Sequence, residues 1–233
     1  MGIFFPNRRS TMKAKPLISK NMVYRVPLYL TVARDLLAEG YKFITAPMIA
    51  KSTTINVETV KKDLSIICAT PGHPRMGREA ETLVSEIVDF GVYTQISNAI
   101  LIGAGSLGHA LLSYQKFNDW GLNISAAFDI DINLIGTKIN NIEVHPLEDI
   151  EVIIKATNAE IAIITVPAEA AQHVVNLAVE AGIKAVWNFS PTHIHVPKSV
   201  ILQNENMASS LSLLNYHLKL SKQKARKTKS RNK

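Results

Sequence analysis

The sequence predicts an α/β protein in which a small helical N-terminal part precedes a doubly wound parallel sheet. In the first third of the chain, apolar residues recur at helical spacing. Over residues 98–203, short apolar runs alternate with helical segments, which indicates βαβ units. A glycine-rich turn at 103–108 follows one apolar run and opens a helix. At 233 residues, the chain has room for one large or two modest domains.

Composition excludes several classes of protein. Apolar residues make up 47% of the chain and charged residues 19%, which is ordinary globular composition. No apolar stretch approaches the roughly 20 residues of a membrane helix, and no apolar run follows the N-terminal basic residues as in a secretory signal. The single cysteine, Cys68, excludes an intrachain disulfide and a multi-cysteine zinc site. We expect a cytoplasmic protein with no membrane or metal partner.

The N-terminal part predicts a helix-turn-helix. Residues 1–21 show no sustained period and predict a mobile arm, and a folded domain is expected over 22–92. A first helix is predicted from Pro27 and a second after the capping residue Thr45. A third helix is predicted over 57–67. Three short helices in this order are typical of DNA-binding domains.

The loop after the third helix, residues 68–77, is rich in Pro, Gly and basic residues. Its position predicts a wing that lies over the phosphate backbone, with a plain surface turn as the alternative. Together these elements predict a winged-helix domain that ends with a fourth helix near Gly91. The candidate DNA-binding residues are Ser52, Thr53, Thr54, Lys61, Lys62, Ser65, His73 and Arg75.

A second domain is expected over residues 97–205. The predicted strands are 99–102, 124–128, 161–166, 185–189 and 200–202, and the predicted helices are 107–118, 147–157 and 169–181. A last helix over 206–220 carries leucines on one side. The stretch 219–233 has eight Lys or Arg and no acidic residue, and residues 221–233 are predicted to be a disordered tail with affinity for polyanions.

The glycine turn predicts a dinucleotide site of Rossmann type. Gly103 permits the tight turn, Gly105 lets the backbone approach a pyrophosphate, and Gly108 lets the helix pack on the sheet. The N-terminal end of the helix would then hold the phosphates. Asp129 ends the second strand, near the spacing expected for an acid that binds the ribose hydroxyls. No Arg stands beside it to accept a 2′-phosphate, so NAD(H) is favoured over NADP(H).

Further cofactor contacts are expected where the later strands end, because ligands bind at the carboxyl edge of such sheets. Phe189 could stack near a nicotinamide, with a place in the core as the alternative. The candidate cofactor-binding residues are Gly103, Ala104, Gly105, Ser106, Leu107, Gly108, Asp129, Ile130, Val166, Pro167 and Phe189.

An oxidoreductase would need an acid or base beside the nicotinamide. His193 and His195 are the candidates, but a surface loop is the favoured interpretation. About 30 residues remain after the nucleotide domain, which is less than a dehydrogenase usually needs to enclose its substrate. We predict a sensor with no catalytic residues.

Several segments together resemble the Rex family of redox-sensing transcriptional repressors. They are Arg25–Tyr29, Lys61–Ser65, Gly103–Leu112, Ala126–Asp131, Ile161–Gln172 and Ala181–Pro191. The resemblance runs from about Lys20 to Leu218. It implies a homodimer on a palindromic operator, near genes of fermentation and respiration, that NADH releases and NAD⁺ permits to bind. It also implies that the last helix is domain-swapped onto the partner subunit, near the domain junction.

The sequence departs from the family pattern at the switch residues. The family wing has two glycines followed by a cofactor-contacting tyrosine, whereas here Arg78 follows Gly77. In the DNA-binding form of the family, an acid near the start of the last helix pairs with that tyrosine and an early arginine. Here Arg25 is kept and Asn206 stands in place of the acid. We expect DNA and dinucleotide binding to be retained and the NADH/NAD⁺ discrimination to be altered.

The recognition helix also differs from the family, because Lys61 and Lys62 stand where arginines are usual. Lysine cannot make the two-pronged contact of arginine with guanine. Two alternatives stay open: a nicotinamide-dependent oxidoreductase, and a repressor that responds to another adenine nucleotide.

Overall fold

The computed structural model describes residues 18–90 and 96–231, with side chains described up to residue 223. The chain divides into two compact units, residues 1–94 and 95–233. Most of the predicted arm over 1–21 lies outside the described residues. So does the segment 91–95, where the fourth helix was expected to stop.

Over residues 18–90, the N-terminal unit contains four helices and a two-stranded antiparallel sheet. The helices are α1 (Lys20–Ala38), α2 (Ala46–Thr53), α3 (Val57–Ile67) and α4 (Ala80–Phe90), and the strands are β1 (Phe43–Ile44) and β2 (Arg78–Glu79). Helix α1 packs against α2 and α4, and α2 packs against α3. The largest fully buried side chains are Tyr29, Leu30, Ile44, Ile49, Leu83 and Ile87.

Helix α1 begins seven residues before the predicted start at Pro27. Ser19 caps it, since the Ser19 hydroxyl accepts from the Met22 amide at 3.3 Å. Pro27 therefore lies inside the helix, where it removes one backbone hydrogen bond. The helix continues past it because Met22, Val26 and later apolar residues bury a continuous face against the core. Thr45 caps α2 as predicted, accepting from the Met48 amide at 3.4 Å.

The C-terminal unit is built on a seven-stranded sheet. Its strands are β3 (Ser97–Ile102), β4 (Leu122–Phe128), β5 (Lys138–Ile139), β6 (Ile142–His145), β7 (Ile161–Ile164), β8 (Ala185–Asn188) and β9 (Ile201–Asn204). They lie in the order β5-β6-β4-β3-β7-β8-β9, and all pairs are parallel except β5 with β6. From β3 the chain adds strands first toward β6 and then, from β7, toward the opposite edge of the sheet. Folds of this type bind ligands at this switch point between β3 and β7.

Helices cover both faces of this sheet. They are α5 (Ser106–Leu112), α6 (Ile150–Thr157) and α7 (Ala168–Glu180), with two short 3₁₀ helices over Gln115–Trp120 and Leu147–Asp149. Ile100 and Ile102 of β3 face a core shared with α6 and α7, while Ala99 and Leu101 face the core beneath α5. The alternation confirms the predicted doubly wound α/β sheet.

The sequence did not predict the strands β5 and β6. They are joined by Asn140 and Asn141, which both have positive φ angles, of 48° and 67°. Asparagine tolerates this conformation in two-residue hairpin turns, so the pair was an available signal. The single helix predicted over 107–118 is also two segments, because α5 ends at Leu112 before the 3₁₀ turn begins at Gln115.

The last helix, α8, spans Met207–Arg231 and so extends beyond the predicted end at residue 220. Residues 221–231 were expected to be disordered and are helical instead. Lys, Arg, Gln and Ala dominate this stretch, and all four favour the helix. Along the first part of α8, apolar side chains are exposed: Met207, Leu211, Leu213, Leu214, Tyr216 and Leu218.

Candidate functional site

The three glycines of the turn after β3 have different surroundings. A Cβ added at Gly103, which has φ +102°, would lie 2.9 Å from the Thr165 backbone. A Cβ at Gly108 would overlap the Gly103 carbonyl oxygen and lie 3.1 Å from a Leu101 methyl group. A Cβ at Gly105 would meet no atom within 4 Å. Gly103 and Gly108 are therefore required by packing, whereas Gly105 leaves open space at the backbone.

Asp129 lies directly beside this turn. One carboxylate oxygen accepts from the Ala104 amide at 2.6 Å, and the other accepts from the amides of Ile130 and Asp131 at 2.7 and 2.9 Å. The Gly103 amide donates to the Phe128 carbonyl at 2.8 Å, which aligns the turn with the end of β4. The structure thus brings together the glycine turn, predicted after the first strand, and the acid predicted at the end of the second strand. Ile130, beyond Asp129, is exposed.

The loops after β7 and β8 reach the same edge. The Thr165 hydroxyl donates to the Gly103 carbonyl at 2.7 Å, and a Cβ at Gly103 would lie 2.9 Å from a Val166 methyl group. The Ser190 hydroxyl donates to the Val166 carbonyl at 2.6 Å. Pro167 caps α7 and is exposed. The turns after β3, β7 and β8 therefore form one continuous rim.

Phe189 follows β8 and is half-buried. Its ring contacts Trp187 at 4.8 Å between centroids, and it packs on the core beneath α5. It also lines a cavity of about 330 Å³ that Asn206 and Met207 line from the start of α8. A predicted cofactor residue and a predicted switch residue thus share one cavity. His193 lines it as well, whereas His195 is held through its backbone by the Gln172 side chain.

The outer face of α3 in the N-terminal unit is polar. Lys61, Lys62 and Ser65 are all exposed. Lys61 pairs with Glu58 at 2.8 Å, and both side chains remain more than half exposed. The Ser65 hydroxyl donates to the Lys62 carbonyl within the helix. Asn56 caps α3 by accepting from the Glu58 amide at 2.8 Å.

The predicted turn residues lie at the end of α2. The hydroxyls of Ser52 and Thr53 donate to carbonyls one turn earlier, and that of Thr54 donates to the Thr53 carbonyl. Ser52 and Thr54 are exposed and Thr53 is half-buried. Thr54 also has a positive φ of 58°, which turns the chain between α2 and α3. The oxygen atoms of all three hydroxyls keep further acceptor capacity.

The predicted wing contains a tight hairpin. The His73 amide donates to the Gly77 carbonyl at 2.6 Å, and the Gly77 amide donates back at 3.0 Å. Arg75 lies exposed at the tip with φ 66°. Gly77, with φ +93°, allows no side chain, because a Cβ would overlap the Ile44 carbonyl oxygen. The His73 ring contacts Phe43 edge-on at 5.7 Å.

An ion pair between the half-buried Arg25 and the buried Asp63 fixes α3 to α1. The Arg25 guanidinium donates to both carboxylate oxygens of Asp63, at 2.7 and 3.0 Å, and the Tyr29 hydroxyl donates to the same carboxylate at 2.7 Å. Burial, assisted by the hydrogen bond to Asp63, raises the pKa of Tyr29 to about 12. The hydrogen bond to Asp63 also raises the pKa of Arg25. Arg25, a predicted switch residue, is therefore bound within its own unit.

The other predicted switch residues also have local partners. Arg78 donates to the carbonyls of Thr70 and Leu64, and so connects the start of the wing to the end of α3. Glu86 of α4 accepts from the Thr70 amide at 2.7 Å. Asn206 belongs to the C-terminal unit, where its side chain caps α8 by accepting from the Ser209 amide at 3.1 Å.

Cys68 lies at the end of α3 and is buried. Burial raises the pKa of its thiol to about 12, against the lowering effect of the Arg78 charge. In contrast, the pKa of Glu86 is lowered: burial would raise it, but the hydrogen bonds from Thr70 and Cys68 and the Arg78 charge outweigh that effect.

Sequence reasoning missed the roles of Asp63, Tyr29 and Glu86. Arg25 and Tyr29 are four residues apart, so they share one face of α1, and that spacing was an available signal. Within residues 18–90 and 96–231, no helix is long and apolar enough to cross a membrane. The same residues contain no group of three or more His, Cys, Asp or Glu that could hold a metal ion.

Two family models match the chain. One described as "Putative DNA-binding protein N-terminus" matches residues 17–65, and one described as "CoA binding domain" matches residues 94–192. A redox-sensing transcriptional repressor Rex of Bacteroides thetaiotaomicron is 36% identical over 190 residues, or 82% of this chain and 86% of that protein. The Rex of Treponema denticola is 39% identical over 192 residues, or 82% of this chain and 91% of that protein.

Solved structures of a Rex-family repressor, RSP, are also similar. RSP in complex with β-NADH has a TM-score of 0.80 and 31% identity, covering 91% of this chain and 99% of that chain. RSP in complex with β-NAD⁺ and operator DNA has a TM-score of 0.79 and 31% identity, covering 91% of this chain and 97% of that chain.

Proposed function

Since the chain belongs to the Rex family of redox-sensing transcriptional repressors, we propose that it binds a palindromic operator as a homodimer and is released from it by NADH. The complexes of the related repressor RSP with NADH, and with NAD⁺ and operator DNA, support both ligands. The curated relatives are named as repressors and not as enzymes, so we do not assign a reaction to His193 or His195. A repressor must reach DNA, and we propose the cytoplasm as its location.

The observation that carries the cofactor proposal is the open backbone at Gly105. The direction of its missing side chain is empty, while the glycines on either side are closed by packing. The amides of Ser106, Leu107 and Gly108 begin a helix, so they have no acceptor within it and would bind the phosphates. Asp129, beside the same turn, would accept from the ribose hydroxyls and repel a 2′-phosphate. NAD(H) therefore fits this edge of the sheet.

The remaining proposed cofactor residues surround the same rim. Val166 and Pro167 follow β7, Phe189 follows β8, and Ala104 and Ile130 flank the acid. When bound, the cofactor would be either NAD⁺ or NADH, and these two forms differ in the charge and shape of the nicotinamide ring. The protein distinguishes these two forms by binding and carries out no reaction on them. It thereby converts a ratio of metabolites into a change in DNA affinity.

For DNA, we propose that α3 enters the major groove and the wing follows the backbone. Lys61, Lys62 and Ser65 lie on the exposed face of α3, and His73 and Arg75 lie in the wing. The hydroxyls of Ser52, Thr53 and Thr54 would add phosphate contacts near the N-terminus of α3. Two such units in a dimer would bind half-sites about one helical turn apart.

We propose that Arg25, Arg78 and Asn206 influence the switch through the elements that they fix. Arg25 fixes α3 to α1, Arg78 fixes the wing to α3, and Asn206 caps α8. Asn206 is uncharged where the family has an acid, so it cannot form an ion pair with an arginine. This difference supports an altered discrimination between NADH and NAD⁺.

The exposed apolar residues of α8 support its role in dimerisation, with the helix swapped onto the partner subunit. A helix that exposes leucines along several turns is typical of an interface. The basic stretch beyond Leu218 has no acidic residue, so we propose that it adds affinity for DNA of any sequence.

The direct test is operator binding by fluorescence anisotropy with NADH, NAD⁺ or ATP. We expect NADH to weaken binding to a labelled palindromic operator, whereas NAD⁺ leaves it intact. Release by ATP alone would favour a different adenine nucleotide as the effector. Failure to bind any palindrome at low ionic strength would refute the repressor, and steady turnover of NADH with carbonyl substrates would favour an oxidoreductase.

A further inference from the structure

A buried hydrogen-bond network joins the ends of β8 and β9. Asn188 is only 1% exposed. Its amide nitrogen donates to the Asn204 side-chain oxygen at 2.8 Å and to the Thr192 carbonyl at 3.1 Å. Its amide oxygen accepts from the Ser190 backbone amide at 2.9 Å. The side chain of Asn188 is thus used as both donor and acceptor.

On one side, this network reaches the rim of the cofactor site. Ser190 is 4% exposed, and its hydroxyl donates to the Val166 carbonyl at 2.6 Å. Val166 in turn lies against Gly103 at the turn after β3. A displacement of the loop after β7 would therefore reach Asn188 through a single residue, Ser190.

On the other side, the network reaches the start of α8. The Glu205 amide donates to the Asn188 carbonyl at 2.8 Å, and the Trp187 indole donates to the Glu205 carboxylate at 2.8 Å. Asn204 ends β9, and Asn206, two residues later, caps α8. One hydrogen bond donated by the Asn188 side chain, one accepted by the Asn188 carbonyl and one donated by Trp187 hold this short segment to β8.

Buried polar groups that are fully hydrogen-bonded specify one arrangement of the chain, because any other arrangement leaves a buried group unpaired. We propose that Asn188 and Asn204 are positioning residues that transmit cofactor occupancy from the rim of the sheet to α8. This inference rests on the proposed function, since it concerns the coupling between NADH and operator DNA. It assigns that coupling to one hydrogen bond, from the Asn188 amide to the Asn204 oxygen.

Asn204 offers the sharper test because it is exposed, so its replacement leaves the core intact. Asn204→Ala removes the acceptor and leaves the buried amide of Asn188 without that partner. Asn204→Asp is the matched control, since a carboxylate oxygen still accepts from the Asn188 amide. The full-length protein is used throughout. Operator affinity is measured with saturating NADH and with saturating NAD⁺, and NADH affinity is measured without DNA.

The quantity compared is the ratio of the two operator dissociation constants. We expect Asn204→Ala to reduce this ratio about fivefold, the scale of one hydrogen bond. The affinity for NADH and the operator affinity in the presence of NAD⁺ should each stay within about twofold of the wild type. Asn204→Asp should keep the wild-type ratio.

An unchanged ratio in Asn204→Ala, or an equal loss in Asn204→Asp, would overturn the inference. A network with a purely structural role would lower the melting temperature and both affinities but leave the ratio as it is. If the wild-type protein itself ignored NADH, the proposed function would fail and this inference with it. A wild type that responds together with an unaffected Asn204→Ala variant would refute the inference alone.

Discussion

Substitution of Gly105 by alanine separates stability from cofactor binding. The added methyl group meets no atom within 4 Å, and the φ of −59° at Gly105 suits alanine. Alanine also restricts the unfolded chain, which is slightly stabilising, although it is a poorer N-cap than glycine. We therefore expect the free energy of unfolding to change by less than about 1 kcal/mol.

Cofactor binding should respond much more strongly, because the methyl group occupies the space through which a pyrophosphate would approach the backbone. Loss of one hydrogen bond to a charged group weakens binding by about 1.5–3 kcal/mol. This corresponds to an NADH dissociation constant about ten- to a hundredfold higher. The size of the effect follows from the backbone amides and does not depend on which other residues contact the nicotinamide.

Gly108→Ala is the matched comparison within the same turn. Its methyl group would overlap the Gly103 carbonyl oxygen, so the helix must move away from the sheet. Overpacking of this kind destabilises a protein by about 1–3 kcal/mol. The two substitutions, three residues apart, should therefore affect different properties. Gly105→Ala should lower NADH affinity in a stable protein, whereas Gly108→Ala should lower stability directly.

The assay is thermal unfolding of each variant without ligand, followed by titration of NADH fluorescence. Gly105→Ala should melt close to the wild type and bind NADH weakly, whereas Gly108→Ala should melt earlier. If Gly105→Ala bound NADH as tightly as the wild type, the phosphates would not lie on this turn. The assignment of the cofactor site would then be wrong.

Asp63→Asn should destabilise the protein by about 1.5–3 kcal/mol, measured by urea unfolding, because the half-buried Arg25 guanidinium loses its charged hydrogen-bond partner. A loss below about 1 kcal/mol would contradict this. Lys62→Ala should reduce the slope of log affinity against log salt by about 0.9 if the Lys62 ammonium group neutralises one phosphate, and an unchanged slope would place Lys62 away from DNA. Burial raises the pKa of Tyr29 to about 12, so the folded protein favours the neutral phenol. The resulting contribution to the free energy of unfolding is complete below about pH 10 and decreases as the pH rises toward 12. The stability advantage of the wild type over Tyr29→Phe should therefore shrink by up to about 3 kcal/mol between pH 9 and pH 12, and a constant advantage would refute the linkage. The Cys68 thiol, with its pKa raised to about 12 by burial, should resist iodoacetamide at pH 7.5 until the protein is unfolded in urea, and rapid alkylation of the native protein would disprove its burial.

Local patterns predicted most of the sheet and its glycine turn. Each predicted strand core corresponds to an observed strand, because buried parallel strands are short apolar runs that stand out between helices. Gly105 and Asp129 could be assigned together because the order of strands in this fold brings the first two carboxyl ends to one edge. The observed hydrogen bond between the Ala104 amide and Asp129 follows from that order.

Contacts between distant residues could not be predicted in the same way. Asp63 lies 38 residues from Arg25, and no local sequence pattern connects the two charges. Arg78 is a predicted switch residue, but its sequence position did not indicate that it donates to the carbonyls of Thr70 and Leu64. Backbone carbonyls exist at every position, so a residue pattern gives no indication of which one a side chain will find.

The pair of Arg25 and Asp63 separates the orientation of α3, the proposed recognition helix, from what that helix contacts. Asp63 points inward and holds the helix, while Lys61 and Lys62 point outward and leave its placement unaffected. Mutations on the outer face can therefore accumulate one at a time without loss of the scaffold. An evolving lineage could acquire a new set of target genes in this way and keep an unchanged sensor for the metabolic state.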